Sequence, residues 1–166
     1  MTETAPFPTL EHDHADCVRT ALDQAEEHCE RNGARLTAIR RHVLELVWKS
    51  HAPVGAYALL DALNAEGHNA APPTVYRALD FLMEQGLVHR VESLNAYLGC
   101  AHPEESHAAL LLLCTGCGRA AEFEDDGIDE RLRRAASSRG FTVARQTIEV
   151  EGLCPACQDA TAKAKA

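Results

Sequence analysis

Two C-x-x-C turns, Cys114-Thr-Gly-Cys117 and Cys154-Pro-Ala-Cys157, carry the plainest chemistry in this chain of 166 residues. Each turn presents two thiolates to one cation, and two turns complete a tetrahedral four-cysteine set with no position left for water. That is the donor set of a structural zinc site, and its binding energy becomes folding energy for the segment it closes. The stretch separating the turns exceeds that of a compact zinc ribbon, but it has room for a helix and a strand. Buried apolar cysteines or a redox pair are the other readings. A thioredoxin-like motif needs a single C-x-x-C opening a helix, whereas each of these reads as lying between or after strands.

A second, more dispersed set is His89, Cys100, His107 and Glu122, with His102 competing with His107 for the same role. Taken singly these fit a hairpin residue, a buried apolar thiol, a surface imidazole and a solvated carboxylate. Together they offer nitrogen, sulfur and oxygen donors, and the thiolate favours zinc over manganese or magnesium. Near the start, His12, His14 and Cys17 are candidates for an auxiliary site, though an acidic, frayed terminus also accounts for them. His28 and Cys29 carry the same ambiguity, since Cys29 falls on an apolar helix face.

Composition narrows the setting. An apolar content of 46% is enough to bury a core. No apolar run approaches the ~18 residues of a membrane span, and the first residues lack a basic start and apolar centre. The expectation is a soluble cytoplasmic protein, with no membrane partner, where thiols stay reduced and seven cysteines point to metal before disulfide. The net charge of −9 is unevenly spread: residues 1–30 hold one Arg against eight acids, residues 31–93 seven bases against six acids, and residues 94–166 eight against eleven. The middle third is thus relieved of the acidic background, which permits a phosphate-backbone partner without demonstrating one.

The elements that must position these groups follow from periodicity. Residues 1–15 read as a flexible N-terminus. From Asp16 to Arg31, Val18, Leu22, Ala25 and Cys29 fall three and four apart, predicting a helix stopped at Asn32-Gly33. Thr37 caps a second helix with Ile39, Val43, Leu44, Val47 and Trp48 on one face, and a third follows Gly55 with Tyr57, Leu60 and Leu63 inward. Pro72-Pro73-Thr74 starts a fourth, whose apolar stripe runs from Val75 through Ala78, Leu79, Leu82 and Met83 to a stop at Gly86. Thr74, Tyr76, Arg77 and Asp80 lie off that stripe. An N-terminal helix end exposing Thr, Tyr and Arg suits a major-groove reader, and it equally fits an ordinary solvated face.

Residues 87–92 and 96–100 predict a hairpin, so that helices followed by a wing fill residues 16–101 as a winged-helix DNA-binding domain. With Leu94-Asn95 as the turn, His89 falls directly opposite Cys100, with Cβ atoms about 4.5–5.5 Å apart. Residues 102–107 read as a hinge. Residues 108–157 read as a small α/β domain: strands at 108–113 and 120–124, a helix at 126–139 with Ile128, Leu132 and Ala135 inward, and an alternating strand at 141–150. Residues 158–166 read as a loose tail. The fold class is therefore α+β.

These residues resemble the ferric uptake regulator superfamily, and most closely its zinc uptake regulators. The resemblance rests on PPTVYRALDFLMEQGLVHRVESLNAY, on the Leu36-Thr37 helix start with Arg40 and Arg41, and on the paired C-x-x-C motifs. It covers about residues 16–157. It implies a homodimeric, zinc-responsive repressor whose second domain dimerises and whose winged helices bind AT-rich inverted repeats in double-stranded DNA ahead of zinc-uptake genes. It also implies two zinc ions per chain: a structural one on Cys114, Cys117, Cys154 and Cys157, and a regulatory one on His89, Cys100, His107 and Glu122. Tyr76 and Arg77 match recognition-helix residues that meet DNA in the family, and Thr74 is placed with them from its position at the exposed N-terminal end of the same helix. Iron-responsive members carry a His- and Asp-rich cluster before the first C-x-x-C, where this chain reads HAALLLL, which argues for zinc over iron. An iron-, manganese- or peroxide-responsive regulator is the alternative of the same fold. An enzyme with a small-molecule substrate is not expected, since neither HExxH nor H-x-E with a following P-C-x-x-C is present.

Overall fold

The computed structural model describes Phe7 and residues 14–103 and 109–164. It divides into two compact units, Thr9–Ser106 and one built on His107–Ala166. None of the described helices is long and apolar enough to cross a membrane.

The N-terminal unit holds four helices, α1 (His14–Arg31), α2 (Ala38–Trp48), α3 (Ala56–Ala65) and α4 (Pro72–Glu84), followed by a hairpin of β1 (Val88–Val91) and β2 (Ala96–Gly99). α1 begins at His14, two residues earlier than its periodicity suggests, so the helix reaches into the segment expected to be flexible. Thr37 is the N-cap of α2 in an extended conformation, but its side chain makes no capping hydrogen bond. The two prolines of α4 occupy its first positions, where a missing N–H costs nothing.

One apolar core unites these helices. Leu44 of α2, Leu59 and Leu63 of α3, and Leu79 and Leu82 of α4 are among its fully buried side chains. Each stabilises the fold by about 1.5–3 kcal/mol relative to exposure. Cys29 belongs to this core at 1% exposure, and burial raises its thiol pKa despite the nearby Arg40 charge. It is therefore a packing residue. The expected inward face of α3 needs correction. Ala56, Leu59 and Leu63 are buried, whereas Tyr57 is 66% exposed. Glu66, at the C-cap of α3, ties that helix to α2 through Lys49 Nζ at 2.9 Å and through His42.

The wing register also differs from the sequence expectation. Val91 pairs with Ala96, Arg90 with Tyr97 and His89 with Leu98, so the turn contains four residues and His89 is not directly opposite Cys100. Asn95, at φ 46°, closes that turn, its N–H donating to the Glu92 carbonyl at 3.2 Å. The displacement is two positions, and side chains in a strand alternate with period two. His89, Leu98 and Cys100 consequently keep one face. β2 is held on its other side by a two-way backbone bridge of Tyr97 to Val54, both bonds at 2.9 Å.

The second unit contains β3 (Ala109–Cys114), β4 (Ala120–Phe123), α5 (Asp126–Ser137), β5 (Thr147–Gly152) and α6 (Pro155–Ala164). The sheet order is β4-β3-β5, with β3 antiparallel to β4 and parallel to β5. β3 is the central strand and is buried along nearly its whole length, as its unbroken apolar run ALLLLC requires. Asp125 caps α5 by accepting from the Ile128 N–H at 3.1 Å. Three expectations are corrected here. The last strand spans Thr147–Gly152, since residues 141–146 lie outside any strand. α5 has no buried residues within its own chain, with Leu132 42% exposed and Ala135 also exposed. The chain beyond Gln158 continues as helix to Ala164 in place of a loose tail.

Candidate metal centres

The four cysteines of the C-x-x-C turns converge from four positions in the second unit. β3 ends at Cys114, and the turn to β4 carries Cys117. β5 pairs in register with β3 so that Gly152 sits beside Cys114, which delivers the chain to Cys154 two residues on. Cys157 follows in the first turn of α6. The four sulfurs lie within 4.8 Å of one another, with Cys117 Sγ 3.8 Å from Cys154 Sγ.

Backbone amides shape the electrostatics. The Cys154 N–H donates to Cys114 Sγ at 3.3 Å and is the main cause drawing the Cys114 thiol down to about 6. Cys157 is pushed the other way, up to about 12, first by the Cys154 and then by the Cys114 sulfur, because several thiolates cannot share one small space without a cation. The Thr115 N–H and hydroxyl both donate to the Gly152 carbonyl, at 2.8 and 3.1 Å, and lock the two turns together. Four converging thiols with one already poised as thiolate fit a tetrahedral dication, and the closed donor set leaves no reactive position. The second C-x-x-C does open a helix, contrary to expectation. With four sulfurs gathered, however, it is no isolated dithiol.

The wing holds the second group in part. The ligand atoms of half-buried His89 and buried Cys100 lie within 4.8 Å of each other. Cys100 is positioned by its N–H, which donates to the Leu87 carbonyl at 3.0 Å and extends the hairpin ladder by one rung. Glu122 is on β4 of the other unit, paired with Leu111 and half-buried. His102 is exposed after the wing, and His107 and His12 lie outside the described residues.

On α4, Val75, Ala78, Leu79 and Leu82 are buried while Tyr76, Arg77 and Asp80 are exposed and Thr74 is half-buried. Arg40 is taken up structurally: its guanidinium lies 3.6 Å from the centre of the Phe81 ring and donates to the Arg35 carbonyl at 2.7 Å. Arg77 is thus the exposed cation of the helix that follows the two prolines.

Among the described residues, His14 and Cys17, two of the three residues the sequence offered for an auxiliary site, are joined by His51, and a further group of His42, Glu66 and His68 was not anticipated. His14 and Cys17 were visible as a spaced pair. Their partner across the fold carries no sequence signal.

A helical unit ending in a two-stranded wing, joined in one chain to a small α/β unit that gathers four cysteine sulfurs, defines a winged-helix protein with a candidate metal centre. The ferric uptake regulator family matches residues 31–151, and the chain belongs to that family. It is 41% identical over 142 residues to the zinc uptake regulation protein of Escherichia coli K12, covering 85% of this chain and 83% of that one. The solved structure of a zinc uptake regulator complexed with zinc and DNA superposes with a TM-score of 0.83 at 40% identity, covering 87% of this chain and 97% of that chain. Holo XcZur superposes with a TM-score of 0.79 at 43% identity, covering 84% and 98%.

Proposed function

We propose that this protein is a zinc-responsive transcriptional repressor which, as a zinc-loaded homodimer in the cytoplasm, binds AT-rich palindromic operators and represses zinc-uptake genes. Each chain takes two zinc ions for this role. Cys114, Cys117, Cys154 and Cys157 hold a structural one, and His89, Cys100, His107 and Glu122 hold the regulatory one. Thr74, Tyr76 and Arg77 face the DNA.

The observation that carries the sensor reading is the pairing of His89 and Cys100 on the wing. An imidazole and a thiolate on a two-stranded hairpin supply half of a tetrahedral set, and a metal that recruits the remaining ligands from outside the N-terminal unit links metal occupancy to domain orientation. The similarity to a regulator solved with zinc and DNA supports the same reading. For the dimer, the support is apolar surface that one chain leaves uncovered on its second unit: Leu132 of α5, Phe141, and Val150 of the edge strand β5. A second copy is the simplest cover for these side chains.

The mechanism is a population shift. Without regulatory zinc the recognition helices sample many separations, and zinc favours the one matched to successive major grooves. Raising the competent fraction from about 1% to about 99% requires a preference of ~5.5 kcal/mol. Structural zinc sites in small peptides supply ~10–16 kcal/mol, so a zinc that keeps only part of its ligands in the other orientations has enough binding energy to draw that preference from.

The test is an operator gel shift against buffered free zinc, with iron and manganese as controls. The native chain is expected to bind DNA with zinc alone at physiological metal activities. Cys100→Ser is expected to remain a folded dimer that keeps its four-cysteine zinc but no longer responds to added zinc. Undiminished zinc-dependent binding by Cys100→Ser would refute the sensor assignment, and tighter response to iron or manganese would refute the choice of metal.

A further inference from the structure

We propose that His14, Cys17 and His51 form an additional zinc site inside the N-terminal unit, separate from the structural and regulatory centres. His14 and Cys17 are spaced three apart in the first turn of α1, so one helix face presents an imidazole and a thiol side by side. His51 comes from the connection after α2. All three offer ligand atoms within 4.8 Å of one another.

The local structure favours convergence on a point over packing. The His14 and His51 rings are 4.7 Å apart at their centroids and inclined at 57°, so they are not stacked face to face. His51 stands on a braced turn: the Ala52 N–H donates to Ser50 Oγ at 3.3 Å, and the Ser50 hydroxyl donates to the Ala52 carbonyl at 3.2 Å. All three residues are half-buried, which limits competition from water without sealing the site. The turn that carries His51 is therefore braced by its own hydrogen bonds, and α1 holds His14 and Cys17 on a common face.

The donor set selects the ion. Two imidazoles and one thiolate suit zinc, whereas magnesium, calcium and manganese prefer oxygen. A helix N-terminus disfavours a bare cation, but a thiolate ligand offsets part of the metal charge. Three protein ligands leave a fourth position open, so this zinc exchanges more readily than one held by four cysteines. The other group of this kind, His42, Glu66 and His68, is a weaker candidate because Lys49 already occupies its only carboxylate. Zinc on His14, Cys17 and His51 would clip the start of α1 to the α2–α3 connection and so brace the helical unit.

The experiment is alkylation of Cys17 followed by mass spectrometry, on the full chain, with and without added zinc at its other sites' saturation. Zinc is expected to slow modification of Cys17 at least tenfold in the native chain and to have no effect in His51→Ala, and native mass spectrometry is expected to count one zinc fewer in His51→Ala. The comparison is a difference of one, so it does not depend on whether the regulatory site fills as proposed above. Circular dichroism of His51→Ala is expected to match the native chain, which separates a lost ligand from a lost fold; should it not, His14→Ala is read in the same assay. Equal Cys17 protection in native chain and folded variant, or equal zinc counts, would overturn the site.

Discussion

Gly116 and Gly99 show how much is set by single residues with no chemistry of their own. A Cβ built on Gly116 would stand 2.9 Å from Cys157 Sγ and 3.1 Å from Leu153 Cδ2, so the first C-x-x-C turn closes only around a glycine. Gly116→Ala is expected to keep all four ligands but shift their positions, weakening zinc retention by about 1–3 kcal/mol, the usual cost of overpacking. Zinc release to a chromogenic chelator measures it, and native-rate release would contradict the contact. In the wing, a Cβ on Gly99 would fall inside the Trp48 indole. Gly99→Ala is accordingly expected to lower stability by a similar ~1–3 kcal/mol in denaturant titration. The cysteines were legible because spacing alone defines a C-x-x-C turn. The two glycines were not, because what excludes a side chain at each lies dozens of residues away.

At the scale of the element, α4 and the wing divide the work of the N-terminal unit. The stripe of α4 was legible since Pro72-Pro73, Gly86 and a 3.6-residue period all agree, and the structure buries Val75, Ala78, Leu79 and Leu82. Arg77 is exposed on the opposite side. Arg77→Ala is expected to weaken operator binding by about 1–3 kcal/mol and relax preference at one base pair if the contact is to guanine, or to lower the salt slope uniformly if it is to phosphate. Operator variants titrated at two salt concentrations distinguish the cases, and unchanged binding would remove Arg77 from the interface. The wing register was harder to read, because Leu94-Asn95 suits a two-residue turn as well as the four-residue turn the structure adopts. The pairing of His89 and Cys100 survived that error only because a slip of two keeps the same face. The inward face of α5 was misjudged for a related reason. A hydrophobic stripe states that something covers it, but not whether the cover belongs to the same chain.

For the whole molecule, the separation of a closed cysteine centre from a mixed-ligand one implies two different consequences of losing metal. The four cysteines join the ends of β3 and β5 to α6, so the zinc proposed there would be part of the folding free energy of the second unit. The proposed regulatory centre draws ligands from the wing and beyond it, so its zinc governs orientation and leaves each unit's core untouched. Graded chelation is therefore expected to remove function in order. Operator binding should disappear while the zinc on the four cysteines remains and while both units stay folded by circular dichroism. Only stronger chelation, or Cys154→Ser, should then unfold the second unit and with it the dimer, leaving the N-terminal helices intact by circular dichroism. Metal content, anisotropy on a labelled operator and a melting curve taken from the same samples give the sequence of events. Loss of the four-cysteine zinc before loss of DNA binding would reverse the roles of the two centres.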